Sequence, residues 1–195
     1  MTMRSAICAA LLLAGATSLG FAEEPKTPPP PEPTWTEFQS PERGFAVTFP
    51  GTPKPTSTQV EGMNPLIKHE YQVPVGEDTV YSVVVFEYPA GKAPNPPDND
   101  YYLKLVTAYA KATESRVRKK GNATIAERAG YEATIEDGKG KLNHLIDIVP
   151  AGDRIYMLVS AGPKGHAASE DAGRFRDSFR VLGDQPQSAA NPPAQ

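Results

Sequence analysis

The segment from Arg154 to Ala161 constrains the fold more than any other, because its apolar side chains fall on both faces of an extended chain. Alternate residues of a strand point to opposite faces of its sheet. One face carries Ile155, Met157, Val159 and Ala161, and the other carries Tyr156 and Leu158. A strand that is apolar on both faces must be covered on both faces, so the sequence predicts a central strand.

The residues after this strand predict a turn and then a closing helix. Gly162–Gly165 contains a proline, which lacks an N–H, and two glycines that favour a turn. Ser169 is a suitable N-cap for the helix, and the acids that follow it suit the positive end of the helix dipole. Apolar residues then recur at spacings of three and four, which places them on one face: Ala168, Ala172, Phe175 and Phe179.

Strands dominate the rest of the predicted domain. Thr79–Tyr88 is the most β-prone run, and Pro50-Gly51 should end an earlier strand. Asp137-Gly138 is a tight-turn signal between two later strands. Besides Arg154–Ala161, the predicted strands are Phe45–Phe49, Thr56–Glu61, Leu66–Val73, Thr79–Tyr88, Thr124–Ala129, Tyr131–Glu136 and Lys141–Val149.

A long helix is predicted between two groups of strands. It follows the loop Pro89–Pro97, Asp98 or Asn99 can cap its start, and Gly121 is placed just past its C-terminal cap. Its apolar stripe consists of Tyr102, Leu105, Val106, Tyr109 and Ala112. The order of elements predicts an α+β fold, a mainly antiparallel β-sheet of about six to seven strands packed with one long helix and a C-terminal helix.

The N-terminus predicts export. Arg4 gives a short positive region, Ala6–Leu19 is apolar, and Gly20-Phe21-Ala22 fits a cleavage site. Residues 1–22 are therefore predicted to be a signal peptide cleaved after Ala22. No later stretch is apolar for the ~20 residues that a membrane span requires. We expect a periplasmic or secreted protein with no transmembrane segment in the mature chain.

Low-complexity segments flank one predicted domain, residues 34–182. Residues 23–33 should form an extended Pro-rich linker, and residues 183–195 a disordered Pro/Ala/Gln tail. Cys8 is the only cysteine and precedes most of the apolar stretch, which argues against a lipoprotein anchor. Without residues 1–22 the chain has no cysteine, and therefore no disulfide, thiol nucleophile or Cys-based metal site.

Charge and motif content exclude several classes of function. The 23 acidic residues outnumber the 20 basic ones, which excludes a strongly basic nucleic-acid binder. The sequence contains no nucleophile elbow, P-loop, dinucleotide-binding glycine motif or His-Glu-x-x-His pair. The three histidines, His69, His144 and His166, show no spacing that would bring two of them to one metal. We expect no cofactor, no metal and no enzymatic activity.

Asp147 is unusual because it places a carboxylate inside the apolar run LIDIV. A buried acid with a raised pKa would be a candidate functional residue. Two structural interpretations compete with that one. Either the strand borders solvent on one face, or Asp147 pairs with an arginine such as Arg154 across a hairpin.

The densest charge cluster is basic and comprises Arg116, Arg118, Lys119 and Lys120. It could bind an anionic partner, such as an acidic protein surface or lipid headgroups. It could also be structural, because cations stabilise the C-terminal end of a helix.

Three stretches of the sequence resemble a family of small exported bacterial proteins of unknown function: FQSPERGFAVTFPGTPKP, GDRIYMLVSAGPKG and EDAGRFRDSF. That family is similar in fold to the photosystem accessory protein PsbP, the Ran-binding protein Mog1 and the periplasmic protein DcrB. The resemblance runs from Phe38 to Phe179 and implies a PsbP-like fold. Its motif residues look structural, with turns at Ser40-Pro41, Gly44 and Pro50-Gly51 and helix packing by Phe175, Ser178 and Phe179.

Three functional hypotheses follow. The first is an exported, non-enzymatic accessory module that binds another exported or envelope protein through its loops and the basic cluster. The alternative is a small-molecule or metal-binding domain with a pocket between the sheet and the long helix, lined by Tyr71, Tyr81, Tyr88, Tyr101, Tyr102 and Tyr109. An enzyme would require Asp147 to meet His144 or His166.

Overall fold

The computed structural model describes residues 33–60, 66–94 and 96–183. The predicted signal peptide, nearly all of the predicted linker and the predicted tail lie outside the described residues, so they stay predictions.

The described chain forms ten strands and two α-helices, with 3-10 turns at Pro41–Arg43 and His166–Ala168. The strands are β1 (Thr36–Ser40), β2 (Phe45–Phe49), β3 (Lys54–Gln59), β4 (Ile67–Val75), β5 (Thr79–Glu87), β6 (Ser115–Ile125), β7 (Arg128–Asp137), β8 (Leu142–Ala151), β9 (Arg154–Pro163) and β10 (Arg180–Val181). The helices are α1 (Asn99–Ala112) and α2 (Glu170–Asp177).

Seven strands form one antiparallel sheet in the order β3-β4-β5-β9-β8-β7-β6, and β1, β2 and β10 form a small antiparallel sheet in the order β1-β2-β10. The predicted α+β class is therefore confirmed. The prediction for Arg154–Ala161 is also confirmed, because β9 is the fourth of the seven strands. The small sheet was not predicted, since β1 and β10 are too short and polar to show a strand pattern.

Alternate residues of β9 enter two different hydrophobic clusters. Tyr156 and Leu158 pack in a cluster with β2 and Phe175 of α2. Met157 and Val159 pack in a second cluster with Val106 of α1. The large sheet is thus covered by the small sheet and α2 on one face and by α1 on the other, which is the double coverage that the pattern requires.

The closing helix begins where the sequence predicts. The Ser169 side chain accepts a hydrogen bond from the Ala172 N–H at 3.2 Å, so this N-cap is confirmed. The helix is shorter than its apolar spacing indicates, because Ala168 lies in the preceding 3-10 turn and Phe179 follows the C-cap. Phe175 and Phe179 are nevertheless buried, at 1% and 2% exposure.

The predicted extent of the long helix is wrong. α1 ends at Ala112, a turn at Glu114 with φ of 52° follows, and β6 begins at Ser115. Gly121 lies inside β6, opposite Glu132 of β7. The residues after Ala112 could continue a helix by composition, but pairing with β7 gives their backbone groups a full ladder of partners, and this tertiary contact overrides local propensity.

The predicted strand Thr124–Ala129 is also wrong, because it contains a turn. Ala126 and Glu127 have φ values of 49° and 60° and reverse the chain between β6 and β7. Tight hairpin turns with two positive φ values usually contain glycine or asparagine. This turn has neither, so the sequence carries no signal for it.

Gly44 joins the 3-10 turn to β2 at a point of close approach. Its φ is 69°, and a Cβ at this position would lie 2.7 Å from Nη1 of Arg154 and 3.2 Å from the hydroxyl of Tyr156. Gly91 has nearly the same φ, 68°, but a Cβ there would have no neighbour within 4 Å. Alanine substitutions at the two glycines therefore distinguish the cost of backbone strain, which both share, from the cost of a steric clash, which only Gly44 has.

We expect Gly91→Ala to lower the free energy of unfolding by about 1 kcal/mol, the cost of a left-handed conformation for alanine. Gly44→Ala should cost roughly 2–3 kcal/mol, because the added methyl group also displaces the Arg154 guanidinium. Urea denaturation of both variants and the wild type measures the difference. Equal costs would show that the close approach at Gly44 has no effect on the free energy of unfolding.

Candidate functional site

The four basic residues singled out in the sequence lie on β6, the terminal strand of the large sheet. Arg116, Arg118, Lys119 and Lys120 are all exposed. Arg118 bonds to the Glu136 carboxylate, whereas no ion pair within the described residues involves the other three. We call these four residues on β6 the basic strand.

A bulge in the ladder between Val117 and Lys119 spreads these cations over both faces of β6. Lys119 lies opposite Thr134 and Lys120 opposite Ala133, so the two lysines point to opposite sides of the sheet. The structural interpretation as cations at a helix end is wrong, since the residues are not helical. The remaining structural role is protection of an open sheet edge against unwanted pairing, which lysines and bulges commonly provide.

Asp147 lies on β8 and faces α2. It is 2% exposed, and its Oδ1 has no hydrogen-bond partner among the described residues. The nearest cation is Arg176 of α2, whose Nε lies 3.6 Å from Oδ1. The same arginine binds Glu132 of β7 at 3.0 Å, so two carboxylates share one guanidinium.

The interpretation that the strand borders solvent at Asp147 is therefore wrong, and the other is correct only in part: an arginine does pair with Asp147, but it is Arg176 of α2 and not Arg154 across a hairpin. The residue does not border solvent, and Arg154 instead pairs with Glu87 at 3.1 Å. Burial raises the pKa of the Asp147 carboxyl to about 7, an effect that the Arg176 charge only partly offsets and that Glu132 and Asp177 reinforce.

The structure does not bring Asp147 and a histidine together. The ring of His144 is 3.1 Å from the hydroxyl of Tyr109 on α1, on the other face of the sheet. His166 bonds Ser160 at 2.6 Å. In the described part of the chain neither ring hydrogen-bonds Asp147, so the catalytic pair that an enzyme at Asp147 would require is not assembled.

The six tyrosines proposed to line a pocket separate into two groups. Tyr71 and Tyr81 belong to the cluster that contains β2 and α2, and the other four pack at α1. Tyr102 stacks on Tyr131 with ring centroids 5.1 Å apart, so these rings fill the space between sheet and helix. This packing favours a core role for them.

Sequence reasoning missed a charged cluster that starts at β3, the opposite edge of the sheet, and extends to the central strand β9. Glu87 of β5 accepts hydrogen bonds from Arg43 at 2.7 Å and from Arg154 at 3.1 Å. His69 of β4 places Nε2 3.2 Å from the same carboxylate, and its Nδ1 lies 2.8 Å from Oγ of Ser57 on β3. We call these five residues the Glu87 cluster.

Motif residues that look structural in the sequence meet at this cluster. Arg154 also donates to the carbonyl of Glu42, and the Tyr156 hydroxyl donates to the carbonyl of Arg43 at 2.8 Å. Burial disfavours ionisation of Glu87, yet the hydrogen bond from Arg154 and the two arginine charges hold the pKa of its carboxyl below its usual value. The cluster joins the small sheet to the large one.

No group of three or more His, Cys, Asp or Glu residues in the described chain could hold a metal ion. Neither helix of the described chain has the length and apolar character that crossing a membrane requires.

The two antiparallel sheets and two helices define a PsbP-like α+β fold. The chain is similar in structure to cyanobacterial PsbP (CyanoP) from Synechocystis sp. PCC 6803, with 12% sequence identity, coverage of 87% of this chain and 99% of that chain, and a TM-score of 0.55. This similarity confirms the PsbP-like fold.

Two further solved structures match with lower TM-scores. One is a protein from Bacteroides thetaiotaomicron (13% identity, 76% of this chain and 48% of that chain, TM-score 0.41). The other is a protein of unknown function from Pseudomonas aeruginosa (12% identity, 71% and 90%, TM-score 0.39). No protein-family model matches the sequence, and no curated protein matches it significantly.

The raised pKa of Asp147 predicts a specific pH dependence of stability. Between about pH 4 and pH 7 the unfolded carboxyl is ionised while the folded one keeps its proton, so the free energy of unfolding falls as pH rises through this window. Asp147→Asn removes this term. From about pH 5 to about pH 8, the free energy of unfolding of this variant should therefore rise by about 2–3 kcal/mol relative to that of the wild type.

Urea denaturation at both pH values measures the gain. Asp78→Asn, at an exposed turn residue, is the control and should follow the wild type at both pH values. Parallel behaviour of Asp147→Asn and the wild type would refute the raised pKa.

Proposed function

We propose that this protein is an exported accessory module that binds another exported or envelope protein through the basic strand. Export rests on the N-terminal sequence, and the binding role rests on the surface of β6. The observation that carries the proposal is the exposure of three cations, Arg116, Lys119 and Lys120, without an ion pair in the described chain. All three lie within one stretch of five residues, 116–120, whereas the whole chain has a net charge of −3.

Electrostatics favours an acidic protein partner for this surface. Cations concentrated on an edge attract a complementary acidic patch and speed its association. Because β6 ends the sheet of the described strands, one side of its backbone has no partner strand among them. The acidic balance of the whole chain disfavours a nucleic acid, which would repel most of the remaining surface.

Charge reversal of the basic strand tests the proposal. The triple variant Arg116→Glu, Lys119→Glu and Lys120→Glu should lose the partner captured by crosslinking of the tagged protein in living cells, by about tenfold or more. The control variant carries Lys92→Glu, Lys104→Glu and Lys164→Glu, which are exposed residues outside β6. It changes the net charge equally and should capture the same partner as the wild type.

Raised salt should weaken capture by the wild type, because exposed charges are screened over about 10 Å at 0.1 M ionic strength. Equal loss in both triple variants would show a general charge effect. Absence of any specific partner would contradict the proposal.

A further inference from the structure

A hydroxyl on β3, an imidazole on β4 and a carboxylate on β5 are hydrogen-bonded in sequence, starting from the far edge of the sheet. Oγ of Ser57 lies 2.8 Å from Nδ1 of His69, and Nε2 of His69 lies 3.2 Å from Oε2 of Glu87. A nucleophile bonded to a base that a carboxylate orients is the arrangement that activates serine for acyl transfer.

The strand register places the three side chains together. Ser57 of β3 is directly opposite His69 of β4, so both side chains lie on the same face. Glu87 is opposite Ile67, two residues from His69 along β4, and so is a diagonal neighbour on that face. The three residues are 12 and 18 positions apart, which is why no sequence motif reveals them.

The environment separates an accessible nucleophile from a shielded base. Ser57 is exposed, whereas His69 is 5% exposed. Glu87 is held by Arg43 and Arg154, which favour its ionised form and fix its position. An ionised carboxylate can stabilise the imidazolium that forms when His69 accepts a proton.

Ser57 also borders a place where a substrate could bind. An open recess of about 240 Å³ is lined by Ser57, Thr58, Gln59 and Ile67. Ile67 is 41% exposed and gives the recess an apolar wall. Because β3 ends the sheet order, the N–H groups on its outer side have no partner strand among the described residues.

We propose that Ser57 is the nucleophile of an acyl-transfer site for small esters with an apolar acyl group. Oγ of Ser57 attacks the ester carbonyl carbon while His69 Nδ1 accepts the hydroxyl proton. The ester C–O bond breaks, and the leaving alcohol takes that proton from the imidazolium. Water then attacks the acyl-serine with His69 again as the base, which releases the carboxylic acid and restores Ser57.

The protein contains a matched control for this site. Oγ of Ser160 lies 2.6 Å from Nε2 of His166, so a second serine is bonded to a histidine. Ser160 is 2% exposed and cannot meet a substrate. If a serine–histidine bond alone were sufficient for reaction, both serines would be candidates, whereas the proposal requires Ser57 alone to react.

The test is covalent labelling of the folded full chain with a fluorophosphonate probe, located by peptide mass spectrometry. The serine oxygen displaces fluoride from phosphorus, and the proton leaves with it. We expect a label on Ser57 in the wild type and in Ser160→Ala, and none in Ser57→Ala. His69→Gln should slow labelling at least about tenfold, since a general base contributes roughly 10²–10⁴-fold.

Hydrolysis of p-nitrophenyl butyrate gives a second readout, and Ser57→Ala should abolish the protein-dependent rate. Thermal unfolding checks that each variant is folded. Because Ser57 is exposed, its replacement should leave the melting temperature near that of the wild type. An unlabelled wild type, equal labelling of heat-unfolded protein, or a label on Ser160 would overturn the proposal.

Discussion

Burial of β9 on both faces is the constraint on which the rest of the structure depends. Its alternate side chains enter two separate hydrophobic clusters, so neither a single helix nor a single sheet layer could cover it. The small sheet with α2 covers one face and α1 covers the other. The two strands farthest from β9, β3 and β6, are the edges of the large sheet in the described chain. The basic strand lies on β6, and the Glu87 cluster runs inward from β3.

Two carboxylates beside this core, Glu87 and Asp147, differ in the number of cations and hydrogen bonds that stabilise them. Glu87 has two arginines and a histidine around it, and these contacts fasten the turn before β2 to the large sheet. Asp147 has one arginine, 3.6 Å away, which it shares with a second carboxylate, and its Oδ1 has no hydrogen bond in the described chain. The first arrangement stabilises an ionised acid, and the second destabilises one.

The sequence was sufficient to predict what depends on local pattern. The central strand, the N-cap at Ser169 and the α+β class follow from alternation, capping chemistry and the order of elements. The end of α1 did not, because Arg116–Lys120 lacks an apolar alternation and becomes a strand only through its ladder with β7. The turn at Ala126 and Glu127 lacks the glycine or asparagine that would have revealed it.

The candidate sites also differ in whether local sequence pattern or strand pairing determines them. The basic strand was visible as a cluster in the sequence, although its placement on a helix end was wrong. The Glu87 cluster was invisible, because it joins residues from the first turn, β3, β4, β5 and β9 that only the register brings together. Cross-strand contacts of this kind depend on pairing partners, and a single sequence does not specify those partners.

Backbone hydrogen exchange, followed by mass spectrometry, tests the central claim most directly. If β9 is the centre of the core and β3 and β6 are open edges, peptides from β9 should exchange slowest and only through global unfolding. Peptides from β3 and β6 should exchange faster by about tenfold or more, because one side of each strand has no partner strand among the described residues. Protection of β6 or β3 equal to that of β9 would contradict the account, since it would show that the edge is already covered.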